Sequence, residues 1–389
     1  MSSPAVQLHA TLPEASADSY SPFQTVDFLI MAPGRKLMKN SIRIEGDIKA
    51  VKDNTAWDAT GYVDNESNVK LDNAVGAHAF FDSWTSETQS KGVLETLANY
   101  PRYISSHARA TLAEDDMLSS KYVAEARGPT EMNGNYVLQP VANQAFKTGS
   151  TEVAAQRTAP SFSVKPMLAF NRSAGGDYSF DKNGYIRISC ILASKNHALF
   201  GGAGTADYTL ENLNCRFMTI PDDGEQDPMM MRSYVNVVSS VQSTATTVAA
   251  RVPSASVNSV TMTFAKQANL QSQETNSYAL ESLPHFDNVS YLFSNSMQNY
   301  VTYVVREESD ALSKGLESME SAGHSEVSAK TLKANRGAIY GLSFEEYVSL
   351  QDQKFTIQLK LNPLANDEGT GITTAPMDMF LYFNSLITM

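Results

Sequence analysis

The sequence has only two cysteines among its 389 residues, Cys190 and Cys215, and only two tryptophans. Two separate thiols form neither a disulfide framework nor a metal-type pair, which favours synthesis in a reducing compartment. Long apolar runs are missing, since no stretch approaches the roughly 18–20 residues that a helix needs to cross a bilayer. Residues 1–23 also lack the basic and apolar regions of a signal peptide. We therefore expect a soluble, unprocessed chain.

Positive charge is scarce. The chain carries 30 Lys and Arg against 42 Asp and Glu, for a formal net charge of −12 and an isoelectric point near 5.0. The densest basic group, Arg35 and Lys36 with Lys39, is short, whereas phosphate backbones demand clustered Lys and Arg. This composition predicts no direct sequence-specific nucleic-acid binding and disfavours charge-driven binding to a membrane surface.

Spacings typical of catalytic or cofactor sites are also missing. Residues 201–204 are glycine-rich but lack the Lys-Ser/Thr of a phosphate-binding loop, and no G-x-S-x-G motif is present. The six histidines are too scattered along the chain to build a metal site locally. They are His9, His78, His107, His197, His285 and His324. The sequence therefore predicts no catalytic, cofactor-binding or metal-binding residue.

Two groups of residues permit a functional and a structural interpretation. The acidic loops at residues 222–224 and 366–368 could hold calcium, but neither has EF-hand spacing, and we favour solvated turns. Phe80, Phe81 and Trp84 could stack on a sugar or pack into a core, and we favour the core.

The composition that is present predicts a globular, mainly β protein. Hydrophobic residues make up 42%, and short runs with a period of two recur along almost the whole chain. Ile42, Ile44 and Ile48 share one face, and Gly46 marks a possible bulge. Further alternating runs lie at residues 185–192, 213–217, 260–264 and 355–361, and the first of these makes Cys190 a core thiol. Residues 379–383 are apolar on both faces, which predicts a central or interfacial strand.

Two stretches have helical spacing. Pro101 stands at a first-turn position behind Asn99, and this helix should end near residues 114–116. Ser309 can cap the second helix. The apolar stripes are Ile104, Ala108 and Leu112 in the first stretch and Leu312, Leu316 and Met319 in the second.

Several strands, one helix and several more strands occur in residues 41–220 and again in 231–389. A polar stretch bounded by Pro221 and Pro228 separates them and is typical of a linker. We therefore predict an all-β fold of two lobes, residues 25–220 and 231–389, joined by residues 221–230. Residues 1–24, rich in Ser, Ala and Pro and without periodicity, should form an arm or a disordered tail outside the core.

The chain resembles the double jelly-roll major capsid proteins of tailless icosahedral viruses, the lineage of polinton-like viruses, virophages and the adenovirus hexon. In the first half the resemblance rests on residues 76–84 (GAHAFFDSW) and 93–101 (VLETLANYP), where a Glu and then a Tyr precede a helix. In the second half it rests on residues 251–253, 280–285, 341–344 and 355–359.

This resemblance implies two consecutive eight-stranded jelly rolls, each with about one inserted helix. Three chains would form a pseudo-hexagonal capsomer that tiles an icosahedral shell. The implied partners are copies of the chain, neighbouring capsomers, penton and minor capsid proteins and, where the virus has one, an internal membrane. Residues 1–24 would bind a neighbouring capsomer, a minor protein or that membrane. The protein would be a non-enzymatic virion component that is synthesised in the host cell cytoplasm.

Two alternatives stay open at this point. A carbohydrate-binding β-sandwich protein would have the same all-β layout and acidic isoelectric point, although two Trp argue mildly against it. A minor virion or spike protein is the other alternative.

Overall fold

The structure is a computed structural model. It describes residues 5–52, 70–112, 124–126, 136–137, 161–200, 206–225, 228–241, 245–254, 256–283, 286–294, 299–324, 327–334, 337–351, 354–361 and 376–389.

The strands of the first lobe are β1 Gln7–Thr11, β2 Ser19–Tyr20, β3 Thr25–Ile30, β4 Arg35–Leu37, β5 Arg43–Lys52, β6 Lys70–Leu71, β7 Phe81–Thr88, β8 Gly92–Leu97, β9 Tyr136–Val137, β10 Ser161–Val164, β11 Tyr178–Ser179, β12 Ile186–Leu192 and β13 Ala206–Pro221. Those of the second are β14 Met230–Val241, β15 Ala245–Ala250, β16 Val257–Lys266, β17 Phe286–Ser294, β18 Asn299–Val305, β19 Tyr340–Val348, β20 Lys354–Leu361 and β21 Met377–Thr388.

The α-helices are α1 Tyr100–Thr111, α2 Phe180–Asn183, α3 Lys195–Ala198, α4 Gln267–Leu270, α5 Glu308–Ser321 and α6 Ala329–Ala334. Within the described residues, 3-10 helices span Gly76–Phe80 and Ala169–Arg172. The predicted pattern of one longer helix within each run of strands is present as α1 and α5.

The second lobe is an eight-stranded jelly roll. One sheet has the order β14-β21-β16-β19 and the other β15-β20-β17-β18, and all neighbouring pairs are antiparallel. Successive strands pass to the opposite sheet except at the β17–β18 hairpin, and the first strand, β14, pairs with the last, β21. Two sheets that face each other in this way enclose one apolar core between them.

The first lobe repeats this plan. One sheet has the order β3-β12-β7-β8, and the other places β5 between β10 and β13. Strands β1 and β2 pair with β13 on the side away from β5, since Cys215 and Arg216 pair with both β1 and β5. The all-β fold of two jelly rolls that the sequence predicted is thereby confirmed.

The amino-terminal segment differs from the expectation. Residues 7–11 were predicted to lie in an arm outside the core, but they form β1 and pair with β13, and Tyr20 of β2 is buried in the core. His9 stacks on Phe217 with 5.0 Å between ring centroids. Strand β1 buries so little of its surface that its alternation is weak, and the sequence pattern therefore did not indicate a strand there.

The strand predictions hold with one correction at Gly46. The register between β5 and β13 shifts between Glu211 and Asn214, so the extra residue belongs to β13. A Cβ on Gly46 would lie 2.7 Å from Leu213 Cδ2. Gly46 therefore does not form the bulge itself but leaves room for the bulge of its neighbour.

Both longer helices form near the predicted positions, with corrections at their ends. Helix α1 ends at Thr111, earlier than residues 114–116, which lie outside the described ranges. Helix α5 begins after Glu307 rather than Ser309, and its first turn contains two acidic residues. Those negative charges suit the positive end of the helix dipole, so the helix starts without a side-chain cap.

Strand β21 is both central and interfacial, as residues 379–383 predicted. It lies between β14 and β16. Met379, Leu381 and Phe383 point into the core of the second lobe, whereas Phe380 and Tyr382 belong to the core cluster of the first. One strand therefore supplies apolar side chains to both lobes.

Strand β13 ends at Pro221 and β14 begins at Met230. Among the described strands, the only pairing between β1–β13 and β14–β21 is the isolated bridge from Ser173 to Met231. Cys190 and Cys215 are buried free thiols, as predicted for Cys190. Within the described ranges, no helix is both long and apolar enough to span a bilayer.

Candidate functional site at the seam between the lobes

The contact between the two lobes, which we call the seam, contains many buried polar side chains. Helix α1 fills it. The helix is buried on almost its whole circumference, including Arg102, Ser105, Ser106 and Arg109. An apolar stripe accounts for only one face of such a helix, so the remaining faces need polar partners from the second lobe.

Arg102 supplies one set of these contacts. Its guanidinium donates to the carbonyl of Ser277 and, over 3.3 Å, to that of Ala279. The same group lies 4.4 Å from the ring centroid of Phe380. Ser105 Oγ donates to the carbonyl of Tyr278 over 2.8 Å. The first lobe therefore uses charged and neutral donors to satisfy the backbone of residues 277–279.

Tyr103 is the centre of a second set. Asn384 Nδ2 donates to Ser259 Oγ and Thr261 Oγ1, so its Oδ1 is left to accept from the Tyr103 hydroxyl at 2.9 Å. Because Tyr103 donates there, it accepts from Nε2 of His324, 2.9 Å away. The geometry thus assigns a proton to Nε2 of His324. The rings of Tyr103, Tyr234 and Tyr382 pack together with centroids 4.3–5.2 Å apart.

Glu95 is a buried carboxylate that joins both lobes. Its Oε1 accepts from Ala169 N at 2.7 Å and Ser86 Oγ at 3.0 Å, and its Oε2 accepts from Ser233 Oγ of β14 at 2.7 Å. Burial raises the pKa of Glu95, while these hydrogen bonds oppose the rise. Tyr100, the Tyr of the segment 93–101 on which the resemblance rests, bonds to His78 Nδ1 and accepts from Met167 N. Glu95 and Tyr100 therefore hold the chain in place at the start of α1.

The carboxyl end of α5 also meets the seam. Arg172 Nη2 donates to the carbonyl of Ala322 over 3.1 Å, and Arg232 Nη1 donates to that of Gly323 over 2.8 Å. Cationic donors satisfy the last carbonyls of a helix and match the negative end of its dipole. His324 follows directly, and its ring lies 4.3 Å from that of His107 in α1.

The histidines that are scattered in the sequence are thus partly brought together. His107 and His324 meet across the seam, His78 lies near the start of α1, and His9 and His197 lie elsewhere. His285 is outside the described ranges. Over the residues that the structure describes, no three His, Cys, Asp or Glu side chains are grouped to hold a metal ion. The pairing of His107 with His324 was missed because their spacing in sequence carries no signal.

The acidic loop at residues 222–224 differs from a solvated turn. The side chain of Asp222 is only 6% exposed and accepts from Ser179 Oγ and from Gly224 N, and Asp223 pairs with Lys36. The carboxylates are therefore used within the fold, although Asp223 itself is exposed. The loops at 201–204 and 366–368 lie outside the described ranges.

Phe80, Phe81 and Trp84 are completely buried, which confirms the core interpretation. Trp84 lies between Phe81 and Tyr100, with ring centroids at 4.9 and 6.1 Å. These three rings therefore offer no platform for a sugar.

The outer surface has one apolar stripe along an edge. Val6, Leu8 and Leu12 are 53%, 65% and 66% exposed, and Leu8 lies opposite Met218 of β13, which is 37% exposed. These side chains alternate with His9 and Thr11, which face inward. The stripe is the outer side of an edge strand, where exposed apolar residues often mark a contact.

No protein-family model matches the sequence, and no curated protein matches it significantly. The fold, in contrast, matches solved structures. The Faustovirus major capsid protein is 10% identical, with a TM-score of 0.55 over 100% of this chain and 91% of that chain. A chain of the Sputnik virophage, solved by cryo-EM, is 11% identical, with a TM-score of 0.58 over 99% of this chain and 86% of that one. The chain thus has the double jelly-roll fold of these viral capsid structures.

Proposed function

We propose that this chain is a viral major capsid protein whose work is to assemble with copies of itself rather than to catalyse. The observation that carries the proposal is the extent of the structural match, which covers both jelly rolls of this chain and most of the Faustovirus major capsid protein. A match to one β-sandwich would fit many functions, whereas two jelly rolls in the same order are a much more specific arrangement.

The seam supports this role. A shell subunit must present its side surfaces in a constant relative orientation if copies are to tile. Helix α1 and the contacts of Arg102, Tyr103 and Glu95 tie the two lobes to each other at several separate points. We also propose the division of the chain at residues 221–230, with lobes at 25–220 and 231–389, and with β1 and β2 of the segment 1–24 added to a sheet of the first lobe.

The proposed assembly is a homotrimer in which six jelly rolls form a pseudo-hexagonal capsomer. Each chain would bury one patch against a different patch of its neighbour around a threefold axis. Light scattering of the purified protein should then give three times the chain mass of 42.5 kDa. Electron microscopy at high concentration should show hexagonal arrays. A monomer that forms no arrays and binds glycans would contradict the proposal and favour the carbohydrate-binding alternative.

Residues 1–24 have a proposed role in contacts between capsomers. Within them, the apolar stripe of Val6, Leu8 and Leu12 is the surface that we assign to this contact. We propose that its partner is a neighbouring capsomer; a minor capsid protein or an internal membrane are the alternatives. A leucine that moves from water into an interface contributes about 1.5–3 kcal/mol, so losing two such contacts weakens association by roughly a hundredfold or more.

The double substitution Leu8→Ser with Leu12→Ser tests this role. Because both side chains are exposed, trimer mass and melting temperature should stay unchanged. The protein concentration at which arrays form should rise by roughly a hundredfold. Gln7→Ser, at an exposed polar position of the same strand, is the matched control. Normal array formation by the double variant would show that the stripe is not a capsomer contact.

Under the same proposal the protein is located in the virion after synthesis in the host cell cytoplasm. Penton and minor capsid proteins would be its other partners. Co-sedimentation of the assembled arrays with candidate minor proteins would test these contacts separately from self-association.

A further inference from the structure

His107 and His324 face each other across the seam. His107 belongs to α1 of the first lobe, and His324 follows α5 of the second. Their ring centroids are 4.3 Å apart with an interplanar angle of 53°, and His324 is 8% exposed. Two imidazoles this close can both be accommodated when neutral, but two charged rings would repel each other strongly at low dielectric constant.

The other groups around His324 add positive rather than negative charge. Arg172, from the 3-10 helix Ala169–Arg172, and Arg232, from β14, both act on it. From α1 and β21 it meets the neutral groups Tyr103 and, beyond Tyr103, Asn384. The seam carboxylate Glu95 acts on Arg172 and is bonded to Ala169 and Ser233.

A helix carboxyl end would normally favour a cationic histidine. Here the two arginines already occupy the carbonyls of Ala322 and Gly323. These carbonyls are therefore not available to stabilise a positive charge on His324. Its Nε2 proton is used in the bond to Tyr103, so an added proton would go to Nδ1.

We propose that the His107–His324 pair is an acid-sensitive latch that keeps α1 bound to the second lobe at neutral pH and releases it at acidic pH. In the latched state His324 is neutral, and Tyr103 connects it to Asn384. A proton on His324 places a new charge next to His107 and the two arginines, and separation of the lobes lets water solvate that charge.

The direction of the pH dependence follows from linkage. Burial, together with His107 and the two arginines, holds the pKa of His324 well below its usual range. In the separated state the imidazole titrates near its ordinary value of about 6.5. Above this pH neither state binds the extra proton. Below it only the separated state does, so the latched state loses up to about a factor of ten in population for each further pH unit.

Hydrogen exchange of the full chain tests the latch. Peptides that cover α1 and β21 are compared at about pH 7.5 and about pH 5, after correction for the intrinsic exchange rate. We expect the protection of α1 to fall at least tenfold at the lower pH. His324→Gln keeps an N–H donor for Tyr103 but cannot take up the proton, so its protection should stay nearly constant.

A second variant and a control keep the outcome interpretable if His324→Gln is poorly folded. His107→Gln leaves the bond from His324 to Tyr103 intact and removes the ring that lies against His324, so it should reduce the pH dependence. His9→Gln changes a histidine at the outer edge and should leave the dependence of α1 unchanged. The latch is refuted if α1 protection in the unmodified chain does not change with pH, or if it falls equally in both seam variants. Neither result depends on whether the protein forms arrays.

Discussion

Replacing Gly315 with alanine is expected to destabilise the second lobe by about 3 kcal/mol, the effect of overpacking against a backbone that cannot yield. Helix α5 lies against β19, and a Cβ on Gly315 would come within 2.8 Å of Tyr340 Cα and closer still to the carbonyl of Ile339. Alanine is the better helix former by about 1 kcal/mol, so helix propensity alone predicts the opposite sign. Urea unfolding followed by circular dichroism measures the change.

Ser313→Ala is the matched control, because Ser313 lies on the exposed side of the same helix. It should be neutral or slightly stabilising. If Gly315→Ala also proved neutral, the close approach of α5 to β19 would be wrong. Ser318 lies on the same buried side, where its backbone carbonyl accepts from Ser259 Oγ over 2.8 Å.

Replacing Glu95 with alanine is the second large effect that we expect, a loss of about 3 kcal/mol in the free energy of unfolding. The substitution leaves the buried N–H of Ala169 and the hydroxyls of Ser86 and Ser233 without their acceptor. It also opens a cavity where both lobes meet. Thermal or urea unfolding detects the loss, and exchange at β14 should increase with it.

Glu95→Gln separates hydrogen bonding from charge. The amide keeps one oxygen for Ala169 N, and its NH₂ can donate to a serine hydroxyl that rotates to accept. It also removes a charge whose burial is unfavourable. We expect a loss below about 1 kcal/mol. A Gln variant as unstable as the Ala variant would mean that the carboxylate charge itself is required.

Sequence patterns predicted most strands because each has one buried and one wetter face. Ile186, Ile188 and Cys190 alternate with Arg187 and Ser189, and the structure buries the first set. The same reasoning located β20, whereas β21 was predicted from residues 379–383, which are apolar on both faces. Strand β1 was not predicted, because an edge strand that is exposed along most of its length has no contrast between a buried and an exposed face.

The seam could not be predicted from the sequence. The stripe of Ile104, Ala108 and Leu112 indicates one buried face of α1, yet Arg102 and Ser105 are equally buried against the second lobe. Polar residues at such positions look like a solvated face until their partners are known. Those partners come from segments far along the chain, so only the fold reveals that Glu95, Tyr103 and His324 belong together.

The order of strands within each sheet has a consequence for synthesis on the ribosome. Strands β1 and β2 pair with β13, and β14 pairs along its whole length with β21. Neither lobe can close its first strand into a sheet before its last strand has emerged, which makes folding depend on contacts between distant residues and therefore slow. The first lobe can close while the second is still being translated, but α1 waits for β21. The nascent first lobe then exposes Tyr103 and its neighbours, a surface that stays uncovered until β21 has left the ribosome.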